Sequence, residues 1–386
     1  MQDDLPADLK KEMDSFDGFL AKILQPGIKA WEKKNRVPPE FFQQMGAGGW
    51  FGFGWDGNRM LRKPGLRETL ILERLARISP GVAVTVLIAS DLGMTALEKF
   101  GSERLQQLYA ATAVRGETLI CIGNSENLAG SDAAGIAMTA DRVDGGWRLS
   151  GAKAYVTNGL ISDLMVVTAV SDPDAERSQR MSMFLVDLSA KGISRRQLNK
   201  KVWIPSDLTR IDLKKVFVPD DHLLGKRGNG LQQVLSIFTH SRIPIAGLAL
   251  GTAAGAFDLA LERTRKRKIF GRSIADFQSK AFEAADLFAR LEAARQVVYR
   301  AAAVMDSGAD FRLEASLAKY LAVDIAQKVG PWAADIFGAV SVVAEHPIHK
   351  FPMDAWAVSL AEGTQDVQKL VIFRELMKLN HKLGQF

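Results

Sequence analysis

The period of the apolar residues changes twice along this 386-residue chain, and that double switch restricts the fold more than any other feature. Up to about Thr118, stretches such as "PADLKKEMDSFDGFLAKIL", "PPEFFQQMGAGG" and "RETLILERLARI" repeat apolar residues every three or four positions, with turn residues between them. From Leu119 to about Gly225 the runs become short and β-type: "WRLSGAKAYVTNG", "LMVVTAV", "MSMFLVDL" and "RIDLKKVFVP", separated by "VDGG", "SDPDAERSQ" and "VPDDH". From Asn229 the helical period returns and holds almost to the end. The expectation is an α+β chain, mostly α, with an N-terminal helical domain over 1–118, a barrel-like middle β-domain over 119–225 and a C-terminal four-helix bundle over 226–386. In that bundle Phe277, Ala281, Ala284, Phe288, Leu291 and Val298 are expected to line one core-facing stripe.

A hydrophobic content of 47% is ample for a large core. The single cysteine, Cys121, leaves no internal disulfide and no cysteine-based metal cluster, and points to a reducing, cytoplasmic setting. The opening "MQDDLPADLKKEMDSF" is charged and lacks the apolar centre of a signal peptide, so no secretion is expected. Ile243 to Leu261 is nearly as long and apolar as a bilayer span, but Pro244, Thr252 and Asp258 interrupt it. Gly247, Gly251 and Gly255 share one face, which lets another helix approach closely; with no second span in view, a buried bundle helix and no membrane are expected. The basic run Arg263 to Lys268 fits a solvated helix face or a phosphate-bearing ligand, with nucleic acid as the minor option.

Four motifs carry the chemistry. In "AEGTQDVQKLVIFREL" the spacing of Val367, Leu370 and Val371 predicts a helix from near Thr364, whose hydroxyl can cap it. Glu362 then lies at the positive end of the helix dipole, where anions bind and carbonyls are polarised, unless it is an ordinary solvated carboxylate. In "NSENLAGSDAAGIAMTA", Asn124 to Ala140, small Ala129 and Gly130 and short donors Ser125 and Ser131 suit close approach of a planar heterocycle, though a plain turn looks similar. In "GAKAYVTNG" strand alternation puts Tyr155 and Thr157 on one face, as a ligand-facing pair or an ordinary strand pair. In "RKIFGRSIADFQ" the Arg267 guanidinium matches a pyrophosphate; for it and for Arg242, in "THSRIPIAG", a surface salt bridge is the alternative.

In their order and spacing these motifs closely resemble the acyl-CoA dehydrogenase family of flavoproteins, across nearly the whole chain. The resemblance implies an FAD-dependent oxidoreductase that desaturates an acyl-CoA thioester, passes electrons to an electron-transfer flavoprotein and forms a homotetramer. It implies FAD contacts from Asn124, Ser125, Gly130, Ser131, Tyr155 and Thr157, with Thr157 bonding flavin N5 and Ser131 also near substrate. Arg267, Phe270 and Gln278 would reach FAD held by a neighbouring subunit, Gly338 its adenine end, and Thr364 the flavin. Arg242 and Gly363 would lie at the substrate, and Glu362 would remove the α-proton while the β-hydrogen leaves as hydride. Such a base needs desolvation and a carbonyl oxygen held by preorganised donors.

Three departures mark a divergent member: "DIFGAVSV" keeps only Gly338 of a "GGNG"-like turn, "SENLAGSD" replaces "TEPGAGSD", and Tyr155 stands where a tryptophan is common. Relatives with their base on another helix carry it at the position of Ser241, and a serine cannot do that work. Asp91, in "LIASDLGMTAL", reads first as a helix cap; facing the acyl pocket, which this region helps form in relatives, it would be a second acid or base, or select a polar or cyclic acyl group. Competing readings are a flavin monooxygenase or desulfinating relative on the same fold, and a nucleic-acid-binding flavoprotein relative.

Overall fold

The computed structural model describes residues 5–378, so the first four residues of the charged N-terminal stretch lie outside it. Helix α1 (Ala7–Phe19) continues through a π-helical turn into α2 (Gln25–Lys34), followed by α3 (Pro39–Ala47) and a hairpin of β1 (Phe53–Trp55) and β2 (Met60–Arg62). Then come α4 (Gly65–Ile78), α5 (Pro80–Leu87), α6 (Gly93–Phe100) and α7 (Glu103–Val114). Local chemistry sets the ends: Ser102 caps α7 by accepting from the Leu105 N–H at 3.3 Å.

The β-period segment forms β3 (Ile120–Gly123), β4 (Thr139–Val143), β5 (Gly146–Thr157), β6 (Leu164–Val170), β7 (Met181–Asp187), β8 (Ile193–Gln197), β9 (Leu208–Pro219) and β10 (Leu223–Leu224). They make one sheet in the order β10-β7-β6-β4-β5-β9-β8, with β3 joined parallel to β6. Nearly every residue of β6 and β7 is buried, which is why both read as largely apolar runs, broken only by Thr168, Ser182 and Asp187. β8 is an edge strand whose exposed "SRRQ" discourages further pairing.

The chain closes with α8 (Gly230–Lys266), a hairpin of β11 (Lys268–Ile269) and β12 (Arg272–Ser273), α9 (Gln278–Asp306), α10 (Arg312–Phe337), α11 (Phe351–Val358) and α12 (Gln365–Lys378). Contacts group the fold into two compact units, and the grouping cuts across the three sequence segments. One unit holds the sheet, with Ala21–Lys63 and Val84–Ser241. The other gathers the N-terminal stretch to Leu20, Pro64–Ala83 and the chain from Arg242.

In the helical unit the glycine stripe does what its spacing suggests. A Cβ at Gly247 would stand 2.6 Å from the Thr69 carbonyl oxygen, and at Gly251 and Gly255 closer still to the Glu73 and Arg77 carbonyls. Bare α8 backbone therefore lies on α4. The expectation of a lone span-like run needs correction, because Pro80–Phe100 also passes as long and apolar enough; both apolar windows are buried inside the fold, at 100% and 89%. The stripe on α9 also differs. Leu291 and Val298 are buried, but Ala281 is exposed and Phe288 is half exposed, its ring centroid 5.9 Å from that of buried Phe257.

Candidate active site

Glu362, Gly363 and Thr364 form the corner between α11 and α12. Thr364 caps the helix as its sequence indicates: its hydroxyl accepts from the Val367 N–H at 3.4 Å and its carbonyl from the Gln368 N–H at 3.0 Å. The chain reverses through two left-handed residues, Glu362 at φ +53° and Gly363 at φ +88°. Glycine adopts this conformation freely, whereas for a glutamate it carries strain. The corner is tied from three directions. Gln368, fully buried on α12, donates to the Glu362 carbonyl at 3.1 Å and the Gly363 carbonyl at 3.0 Å. Lys319 on α10 donates to the Gly363 carbonyl. Arg242 on α8 reaches the Glu362 carbonyl at 3.4 Å and the Ser316 hydroxyl at 3.5 Å.

Electrostatics here run against burial. Loss of hydration lowers the pKa of Lys319 to about 7, with Glu362 opposing that shift and Arg242 adding to it. Burial also lowers the Arg242 pKa, again against the charge of Glu362. Two buried cations thus flank one partly exposed carboxylate beside a helix N-terminus. Ser241, next to Arg242, is buried and donates to the Phe238 carbonyl at 3.3 Å.

A second group of expected residues lies in the sheet unit. Asn124 is buried, and its side-chain oxygen accepts from the Thr168 hydroxyl at 2.6 Å. Lys153, fully buried on β5, donates to the Asn124 carbonyl at 3.1 Å and to Glu126 at 2.8 Å. Glu126 in turn accepts from the N–H groups of Ala137 and Met138 at 2.8 and 3.0 Å, which pins the loop bearing Ser125, Gly130 and Ser131. Burial lowers the Lys153 pKa to about 8, with Glu126 opposing. A Cβ at Gly130 would meet open space, so that glycine relieves no crowding within the chain.

Tyr155 and Thr157 do point to the open side of β5, between buried Ala154, Val156 and Asn158, but not through simple alternation. The register against β9 shifts between Lys153 and Val156, and Tyr155 takes φ +59° in that bulge, the residue 59% exposed. The hydroxyls of Ser125, Ser131 and Thr157 have no hydrogen-bond partner among the described residues.

Arg267 leads into the β11–β12 hairpin, whose two-residue turn is left-handed at Phe270 (φ +50°) and Gly271 (φ +80°). Phe270 is 94% exposed at its tip, the Arg267 guanidinium has no partner among the described residues, and Gln278 opens α9 in an exposed position. Gly338 ends α10 at φ +61° in open space.

Asp91 is not a helix cap. It sits in a π-helical turn between α5 and α6 and is completely buried. Burial alone would raise its pKa, but His240, Arg62 and the Thr95 hydroxyl outweigh that and hold it well below the usual carboxylate range. Its Oδ1 lies 2.7 Å from the Thr95 hydroxyl, 3.5 Å from Arg62 and 3.4 Å from His240.

Sequence reasoning passed over Lys319, Gln368 and Lys153. A signal for Lys319 was present: a lysine on the α10 stripe of Ala315, Ala322 and Ala326 is out of place unless something meets it.

Comparison with known proteins identifies the family. Sequence profiles of the acyl-CoA dehydrogenase N-terminal, middle and C-terminal domains match residues 7–117, 121–216 and 228–377. An acyl-CoA dehydrogenase of Bacillus subtilis is 30% identical over 93% of this chain and 95% of its own. The CarC subunit of the caffeyl-CoA reductase–Etf complex of Acetobacterium woodii is 30% identical over 90% of this chain and 92% of its own. The solved butyryl-CoA dehydrogenase of Megasphaera elsdenii superposes with a TM-score of 0.91 at 28% identity, covering 97% of this chain and 99% of its own. The corner at Glu362, the pinned loop at Asn124 and three consecutive domain matches lead to one conclusion: this chain belongs to the acyl-CoA dehydrogenase family, whose members are FAD-binding oxidoreductases.

Proposed function

We propose that the protein binds FAD and introduces an α,β double bond into an acyl-CoA thioester, with Glu362 as the base for the α-proton. The observation that carries this reading is the Glu362 corner, where a partly exposed carboxylate is held in a left-handed conformation beside a helix N-terminus, with Arg242 and Lys319 behind it. The α-proton of a thioester is a weak acid, so the base must be aimed at it and the carbonyl oxygen must be met by donors already in place. The α12 N-terminus beyond Glu362 supplies positive potential, Gly363 keeps the corner free of a side chain, and Thr364 fixes where the helix starts.

The residues fit a flavin dinucleotide. Ser125, Ser131 and Thr157 offer unspent hydroxyls for polar ring edges, Tyr155 an exposed ring for packing, and Arg267 an unspent guanidinium for pyrophosphate. Asn124, Gly130, Phe270, Gln278, Gly338 and Thr364 complete the proposed set. FAD held by these residues would supply the acceptor for the β-hydride. The proposed electron acceptor is an electron-transfer flavoprotein, a partner suggested by the Etf-complex relative. The proposed setting is cytoplasmic and the proposed assembly a homotetramer.

Anaerobic mixing of the FAD-loaded protein with a panel of acyl-CoAs tests the reading. At least one straight-chain, branched or dicarboxylic thioester should bleach the oxidised flavin band. A yellow protein left oxidised by every member of the panel contradicts it.

A further inference from the structure

The Glu362–Gly363 corner depends on a cation at a place where cations are costly. Lys319 lies on the apolar stripe of α10 with none of its side chain exposed, so its ammonium has given up its hydration. What replaces the water is specific. The ammonium donates to the Gly363 carbonyl, and the charged groups bearing on it are Glu362, before α12, and Arg242, on α8. Gln368, on α12, shares the same carbonyl and is uncharged. Arg242, also buried and cationic, reaches the Glu362 carbonyl over 3.4 Å; Lys319 is the fully buried cation bonded to the Gly363 carbonyl, at the centre of the corner.

We propose that Lys319 is the positioning residue for Glu362: its bond to the Gly363 carbonyl fixes the left-handed corner, and its charge keeps the Glu362 carboxylate deprotonated and aimed. This rests on the reading of Glu362 as the base. The same charge restrains the reaction, because a carboxylate paired with an ammonium gives up its negative charge less readily. Lys319 thus sets both where the base stands and at what pH it is ready.

Two variants of the FAD-loaded protein test this. Lys319→Met removes both bond and charge; Lys319→Gln keeps an N–H donor and serves if the methionine variant does not fold. The first readout is the pH profile of anaerobic flavin bleaching by butyryl-CoA. Loss of the ammonium should move the acidic limb to higher pH by about one unit. At neutral pH the bleaching rate of Lys319→Met should fall about tenfold or more, as a misaligned base would produce, with little change in KM.

The second readout is melting temperature against pH, without substrate. Lys319 holds its proton to about pH 7 in the fold and to about 10.5 when unfolded, so across that window the unfolded chain binds more protons and wild-type stability gains as pH rises. Both variants should lose that gain.

A merely structural lysine would lower melting temperature and FAD content while leaving the acidic limb in place, and that result overturns the proposal. Glu362→Gln is measured in parallel. If it bleaches at the wild-type rate, the base reading falls and takes this proposal with it. If it is slow while both Lys319 variants keep the wild-type limb, only the proposal falls.

Discussion

Asp91 and Glu362 are both carboxylates near helix termini in the sequence, and the structure gives them opposite situations. Asp91 is enclosed, paired with Arg62 and Thr95, and held well below the usual carboxylate range, so it has little tendency to take a proton at neutral pH. Glu362 is partly exposed, on a left-handed turn. Asp91→Asn should therefore leave flavin reduction within a few-fold of wild type. It should cost about 1–3 kcal/mol of stability, less than a fully buried pair because Arg62 keeps Glu98 at 3.2 Å as a second partner. Since the folded pKa lies below the unfolded one, that contribution is present above about pH 4 and fades as pH falls further. Urea unfolding of both proteins at pH 7 and pH 3 should show the gap between them narrowing in acid. The cap at Thr364 was suggested by the spacing of Val367, Leu370 and Val371, because capping is local chemistry, whereas the role proposed for Glu362 came from the family resemblance. Lys319 and Arg242 reach the same corner from helices far away in sequence, and no local pattern announces such a meeting.

Elements were legible where their period was uniform. The runs of β5, β6, β7 and β9 were readable from their β-type composition, whereas β3 and β8 are too short and β4 too polar to stand out. Within β5 the bulge at Tyr155 was hidden, because a left-handed tyrosine carries no sequence mark of the kind a glycine does. On α9 and α12 the helical spacing was right, but on α9 the stripe inferred from it is buried only in part, at Leu291 and Val298. The face carrying Leu370 remains half exposed, and only Gln368 is buried on α12. The glycine stripe of α8 was the most informative element-level pattern, since it foretold contact through bare backbone. Gly251→Ala should push its new methyl into the Glu73 carbonyl, cost about 1–3 kcal/mol and lower the melting temperature by several degrees. Ala253→Gly, on the same helix but off the stripe, should lose only about 1 kcal/mol, which calorimetry can separate.

At the scale of the whole molecule, the three-part reading of the sequence follows the chain in order, while the compact units follow contacts and draw Pro64–Ala83 together with the C-terminal helices. Periodicity cannot show that α4 belongs with a helix more than 160 positions later; the bare α8 stripe is the physical reason that it does. Phe282, Phe288, Leu370, Phe373 and Met377 of the helical unit are exposed. The proposed homotetramer would cover such surface. Light scattering should find an oligomer for the wild type, and Phe373→Glu should shift it toward smaller species with less bound FAD. The central claim, that this family member carries its base at Glu362, is tested most directly by stopped-flow absorbance of Glu362→Gln, FAD-loaded, oxygen-free and saturated with whichever acyl-CoA bleaches the wild type. Because the cap at Thr364 and the bonds to the corner carbonyls do not involve the carboxylate, the variant should retain FAD and bind substrate while flavin reduction slows by about 10² to 10⁴. Flavin reduction by Glu362→Gln at a rate close to wild type would contradict the account.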